Sequence, residues 1–371
     1  MAKKLFSPRK IYIQKGSLDF PHTERILRNL DQIPVEIIDN SQDLIAQFRK
    51  SRDVIGEGKK HLLIKHQKGK FIKPCPCTPF YIGCNYYVIN LDLNCPLDCT
   101  YCILQQYLTN PLITVHINLE DLWNELDEFL FVNRKKVLRI GTGELGDSLV
   151  LDHITENSVD LISYFKNKKN VWFELKTKTV NLKNVLETGP ANNVVVSWSL
   201  NSEKIAQELE KGAPSIKARI QAAAAVAKNG FWVGFHFDPL IFYPGWEDGY
   251  FEVIERLFQA IDPKRIAWIS LGSLRYPPAL KAIIKERFSQ TEIMSSEFIK
   301  GRDGKLRYFK PHRLGLYKKI VNFIHQESRE KIPLYFCMES VDIWMKVMGW
   351  IPEGQEDLGC YLSLPPPHLK E

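Results

Sequence analysis

From about residue 84 onward, short apolar runs alternate with segments of helical period, six times over. The strand-like runs are CNYYVINLDL, KVLRIGTG (136–143), VWFELKTKT (171–179), NNVVVSWSLN (192–201), FWVGFHFDPLIF and RIAWISLGSLR (265–275). Between them lie helix-period segments. INLEDLWNELDEFLFV (117–132) has Asn118 as its N-cap candidate, SLVLDHITENSVDLISYF reads as one helix, and PSIKARIQAAAAVAKNG is stopped by Gly230. GWEDGYFEVIERLFQAI reads as a further helix. Such alternation demands right-handed βαβ crossovers and a parallel sheet. Six strands fall short of the eight that close a barrel. The fold class is therefore α/β, a partial (β/α)6 barrel over residues 84–290, with an N-terminal extension (1–83) and a C-terminal region (291–371).

The extension reads as YIQKGSLDF, a helix-like TERILRNLDQ and a short strand IPVEIID. GEGKKHLLIKHQKGKFIKP, rich in lysine and carrying glycines, reads as an exposed connection. At the other end LSLPPPHLKE is a proline-rich tail. No run of about eighteen apolar residues occurs and MAKKLFSPRKIYIQ has no apolar h-region, so the chain is expected to be cytoplasmic, without a membrane span or secretory signal.

Three cysteines crowd into CPLDCTYC at the end of the first strand. In a reducing compartment such clusters serve metal or redox chemistry more often than disulfides. A structural zinc site calls for four ligands. Three thiolates on one loop suit a four-iron, four-sulfur cube with one iron left open. The loop resembles that of the radical S-adenosylmethionine (SAM) superfamily. The resemblance implies a [4Fe–4S] cluster on Cys95, Cys99 and Cys102, SAM held at the open iron, and its cleavage to a 5′-deoxyadenosyl radical. The next strand ends in RIGTGE, where the superfamily places a Gly-Gly-Glu-like segment; Gly143 and Glu144 match its last two residues. A bare backbone admits a ligand closely, and a carboxylate pairs with its ammonium.

CPLDCTYCILQ, RIGTGELGDSLVLDHIT, ELKTKT, SWSLN and RIQAAAAVAKNGFWVGFHFDPLIFYPGWEDGY go further and resemble the spore photoproduct lyase family, whose members reverse a thymine-dimer lesion in DNA. The match implies Lys176 and Ser199 as polar groups around SAM, and Tyr101 as a cofactor-binding and catalytic residue that helps pass the radical on. It also implies a reductant such as flavodoxin or ferredoxin, a monomer, and DNA or another nucleic acid as partner. Two departures stand out. Glu144 occupies the position of the family's hydrogen-donor cysteine, and Ile103 replaces a tyrosine. A carboxylate cannot return a hydrogen atom as a thiol does. The radical generator is retained and the family's closing step is not, which keeps RNA, a peptide or a small molecule open as substrates. A cluster-bearing nucleic-acid-binding protein without turnover is the reading outside enzymology.

Five further cysteines, Cys75, Cys77, Cys84, Cys337 and Cys360, could supply an auxiliary iron–sulfur cluster or a substitute thiol, or could be small buried hydrophobes. The chain's net charge of +7 is a weak pointer to a polyanion. It concentrates in 299–319, with eight lysines and arginines against one acid. Lys305, Arg307, Tyr308, Lys310 and Arg313 are the nucleic-acid-contact candidates there, where the family presents a DNA-contacting hairpin. His236 and Asp238 could line the barrel mouth or be hydrogen-bonded core residues.

Overall fold

A computed structural model describes residues 5–77 and 80–363; the proline-rich end of the tail lies outside them. The main sheet has eight strands. From one edge they are Leu334–Phe336, Ile266–Ser273, Trp232–Leu240, Val194–Ser199, Val171–Thr177, Leu138–Thr142, Tyr86–Ile89 and Ile72–Pro74. The first seven run parallel and Ile72–Pro74 pairs antiparallel. The sheet curls into a half-barrel. Its six central strands are those the alternation predicts. The seventh, Leu334–Phe336, is three residues long behind Pro333, too short to show a period.

The N-terminal segment builds its own sheet, in the order Val35–Ile38, Lys10–Gln14, His61–Lys65, Ile113–His116, Asp92–Leu93. HLLIK is thus an interior strand and not an exposed connection: Leu62, Leu63 and Ile64 are fully buried. Parallel strands covered on both faces read as continuous apolar runs, here masked by flanking lysines. The segment read as one helix over 148–165 is two, Asp152–Thr155 and Asn157–Phe165, broken at Glu156 with φ +56°. Asp152 accepts from the Ser158 N–H at 2.8 Å and from its hydroxyl at 2.7 Å, which satisfies the start of the second helix. Asn118 stands at its helix start but ties to Gln67 instead of capping: its Oδ1 accepts from Gln67 N–H at 2.8 Å.

Candidate active site

The cysteine loop is clamped from three directions. Asp98–Cys99 forms a two-residue antiparallel bridge with Glu210–Lys211, and the Thr100 N–H donates to Leu209 O at 2.8 Å. Buried Lys59 donates to Leu97 O at 2.6 Å and to Asp98 Oδ1 at 3.1 Å. Arg287 reaches the same Asp98 at 3.0 Å, and also binds Asp53 and Gln105. A loop that must present thiols in fixed directions needs such a frame, because a loop alone leaves its side chains free.

Cys95, Cys99 and Cys102 line one cavity of about 280 Å³, together with Tyr101, Gly143, Glu144, Lys176 and Ser199. All eight residues expected to hold cluster and SAM meet there, from three strand ends and the loop. Burial pushes the Cys95 thiol well above its ordinary range and the Cys99 thiol up to about 12. Lys59 opposes the shift at Cys95, and Lys178 opposes it at Cys99. Among the described residues no three His, Cys, Asp or Glu side chains close around a single ion position. These thiols face a shared void instead.

Gly143 has φ +90°, and a Cβ on it would lie 2.6 Å from Lys176 O and 2.8 Å from Ser148 Oγ, so only glycine fits the turn. Glu144 follows with its carboxylate in the cavity, where Lys176 Nζ pairs with it at 3.2 Å. Burial would pull Lys176 down, but Glu144 and Glu174 hold it above the usual lysine range. A protein ammonium thus pairs with the carboxylate expected to meet a ligand ammonium. This cradle, the carboxylate and the three thiols fit the implied cluster and SAM.

Tyr101 donates its hydroxyl to Glu210. Glu210 in turn contacts Arg219 Nη2 at 2.5 Å, both side chains fully buried, with Lys178 Nζ at 3.8 Å. The Glu210–Arg219 contact is an ion pair of poor hydrogen-bond alignment, for neither Oε2 nor Nη2 has a hydrogen-bond partner. Burial and Glu210 raise the Tyr101 phenol well above its usual range, so it stays protonated. The Arg219 Nη1 donates to Ser199 O at 3.0 Å and so ties the tyrosine network to the SAM side of the cavity.

His236 and Asp238 separate into different roles. His236 Nε2 lies 2.8 Å from Glu174 Oε1, a buried carboxylate that also accepts from Ser197 at 2.5 Å and Trp268 at 3.1 Å, so it is a hydrogen-bonded core residue. Asp238 lines the cavity and accepts from both terminal nitrogens of Arg275 at 3.0 Å. Burial would raise its carboxyl, yet Arg275 holds it below the usual range.

Most of the nucleic-acid-contact candidates in the basic segment are not placed as a contact surface. Phe298–Lys300 and Leu306–Tyr308 do pair antiparallel, but Arg307, Tyr308 and Arg313 are buried. Arg307 pairs with Asp303 at 2.7 Å and lies over the Tyr81 ring. Tyr308 stacks on Phe298, and Arg313 pairs with Glu339 at 2.9 Å. These groups carry internal partners and present no free surface to a phosphate. Lys310 is exposed and paired with Asp342. Only Lys305 reaches the cavity, beside Arg275. Sequence reasoning missed Arg275, Glu210 and Asp147. Asp147 accepts from the N–H groups of Leu149, Val150 and Lys178, at 3.1, 3.0 and 2.7 Å, and locks Gly143–Glu144 to the next strand. An acid within four residues of a GxGE turn was the available signal for Asp147; Glu210 and Arg275 gave none.

A family model described as spore photoproduct lyase matches residues 6–337. The chain is 24% identical over 340 residues to a spore photoproduct lyase of a Geobacillus species, covering 88% of this chain and 93% of that one. It is 22% identical to the Bacillus subtilis spore photoproduct lyase, over 88% of this chain and 92% of the relative. In fold it matches a spore photoproduct lyase variant with dinucleoside spore photoproduct, at TM-score 0.78 and 23% identity, covering 90% of this chain and all of the other.

Proposed function

Because the chain belongs to the spore photoproduct lyase family of radical SAM enzymes, we propose that it cleaves SAM reductively and acts on a thymine-type photolesion in DNA. The observation that carries this is the convergence of Cys95, Cys99 and Cys102 with Gly143, Glu144, Lys176 and Ser199 on one cavity. Cys95, Cys99 and Cys102 would hold a [4Fe–4S] cluster, which would supply the electron for reductive cleavage of SAM to methionine and a 5′-deoxyadenosyl radical, with a reductant such as flavodoxin or ferredoxin as its source.

Each residue has a bounded task. Glu144 receives the amino group of SAM, and Gly143 lets its backbone come close. The Ser148 hydroxyl accepts from the Lys176 N–H at 2.8 Å and fixes the strand that carries Lys176. Ser199 and Tyr101 complete the cavity lining, Tyr101 from the cysteine loop itself. Arg275 and Lys305 line the cavity beside Asp238; Arg275 is held by that carboxylate, and Lys305 fits the phosphodiester or a base carbonyl of a lesion.

The family's hydrogen return needs a thiol, and Glu144 stands in its place. That substitution favours a second reading, the same radical chemistry on RNA, a peptide or a small molecule. Anaerobic incubation with dithionite, SAM and dinucleoside spore photoproduct separates them. Conversion to two thymidines supports the lesion reading; 5′-deoxyadenosine without conversion supports the other. No 5′-deoxyadenosine at all leaves the non-catalytic cluster protein.

A further inference from the structure

Four cysteines that the SAM cavity does not use line a second one. Cys75, Cys77, Cys84 and Cys337 surround a void of about 110 Å³. They come from the two outer edges of the main sheet. Cys75 follows the antiparallel edge strand, its N–H donating to Tyr86 O at 2.7 Å, and Cys84 lies just ahead of Tyr86–Ile89. Cys337 follows the opposite edge strand, its N–H donating to Leu271 O at 2.9 Å. The curl of the sheet brings both edges together here. Thiols some 250 residues apart in sequence meet at the open seam of the half-barrel.

We propose that Cys75, Cys77, Cys84 and Cys337 hold a second [4Fe–4S] cluster across this seam, each thiol ligating one iron. Four thiolates are the full complement for such a cube. Their charge has buried counterions in place. Arg139 is 1% exposed, sends Nη1 to Cys84 O at 3.4 Å, and has no hydrogen-bond partner at Nε or Nη2. Arg275 Nη2 lies 3.2 Å from Cys337 Sγ. The Arg139 guanidinium also lies over the Tyr86, Trp268 and Tyr335 rings, but two buried nitrogens without hydrogen bonds are costly unless an anionic group faces them. The size of the void favours a cube over one zinc. A single water needs roughly 10–15 Å³, far less than the void, and no three of these side chains close on one ion position. Cys360 is exposed and does not line the void.

The site stands independently of the SAM reading, and one variant separates them. In Cys95→Ala/Cys99→Ala/Cys102→Ala, anaerobic reconstitution should leave about four irons and four sulfides per chain, with a paramagnetic signal after dithionite. Adding Cys77→Ser and Cys337→Ser should remove them. Iron absent from the first variant, or one zinc in its place, overturns the second cluster and leaves the first untouched. Iron retained in Cys77→Ser/Cys337→Ser shows that the first stands. Should that double variant fail to fold, the count in the first variant decides alone.

Discussion

Lys176 Nζ sits 3.2 Å from Glu144 Oε2, inside the cavity that also holds the three loop cysteines. The pair joins two successive strand ends, and it sets a carboxylate where the amino group of SAM is expected. Glu144→Gln keeps the shape and removes the charge. A charge-assisted hydrogen bond is worth about 1.5–3 kcal/mol, so SAM affinity should fall about 10- to 100-fold while the iron content stays unchanged. Equilibrium dialysis and iron analysis on the same preparation check this. Unaltered SAM affinity would remove Glu144 from the site.

The basic segment divides into scaffold and contact. Arg307→Ala and Arg313→Ala leave Asp303 and Glu339 as buried acids without their partners. Breaking a buried pair costs about 3–5 kcal/mol, so both variants should melt several degrees lower. Lys305→Ala should melt close to the parent and bind lesion-containing DNA more weakly, with a shallower salt dependence. The opposite split, stability intact and DNA binding lost in Arg307→Ala, would restore the hairpin as the contact surface.

Tyr101 is held through Glu210, which Arg219 neutralises at full burial. Glu210→Gln leaves the Arg219 guanidinium uncompensated and should cost about 3 kcal/mol or more in thermal unfolding. Tyr101→Phe removes one hydroxyl and leaves that ion pair in place. It should keep its iron and its melting temperature and lose turnover. Full turnover in Tyr101→Phe would confine the tyrosine to packing.

Two buried histidines set an acid limit on stability. Burial lowers His22 and His116 each to about 4, with the Arg25 charge adding to the effect at His22 and a hydrogen bond to Asn90 opposing it at His116. The unfolded chain takes up these protons near pH 6.5. Between pH 6.5 and 4 the unfolded state therefore binds more protons, so the stability present above 6.5 is lost as pH falls through that window. The loss approaches roughly 3 kcal/mol per histidine at pH 4. His22→Leu should flatten the acid limb of a melting-temperature profile; an unchanged limb would place its origin elsewhere.

The central sheet was legible because strand and helix periods alternate cleanly from residue 84. HLLIK was not, since its apolar run is only three residues between a histidine and lysines, and burial on both faces removes any alternation. Leu334–Phe336 was too short to show one. The cysteine loop and Gly143–Glu144 were singled out by spacing together with family resemblance, and the fold brings them to one cavity. Glu210 and Arg275 were not, because each acts on a residue more than 35 positions away in sequence: Tyr101 for the first, Asp238 for the second. Charge alone also misplaced 299–319. Arginines and a carboxylate that pair internally read in sequence like a solvated basic face.

The central claim is that the trio of loop thiols and the Glu144 side of the cavity work on one SAM molecule. Anaerobically reconstituted protein given dithionite and SAM tests it most directly. The account predicts 5′-deoxyadenosine, abolished by alanine at Cys95, Cys99 or Cys102. Protein that carries its iron at those cysteines, binds SAM and yields no 5′-deoxyadenosine would contradict it.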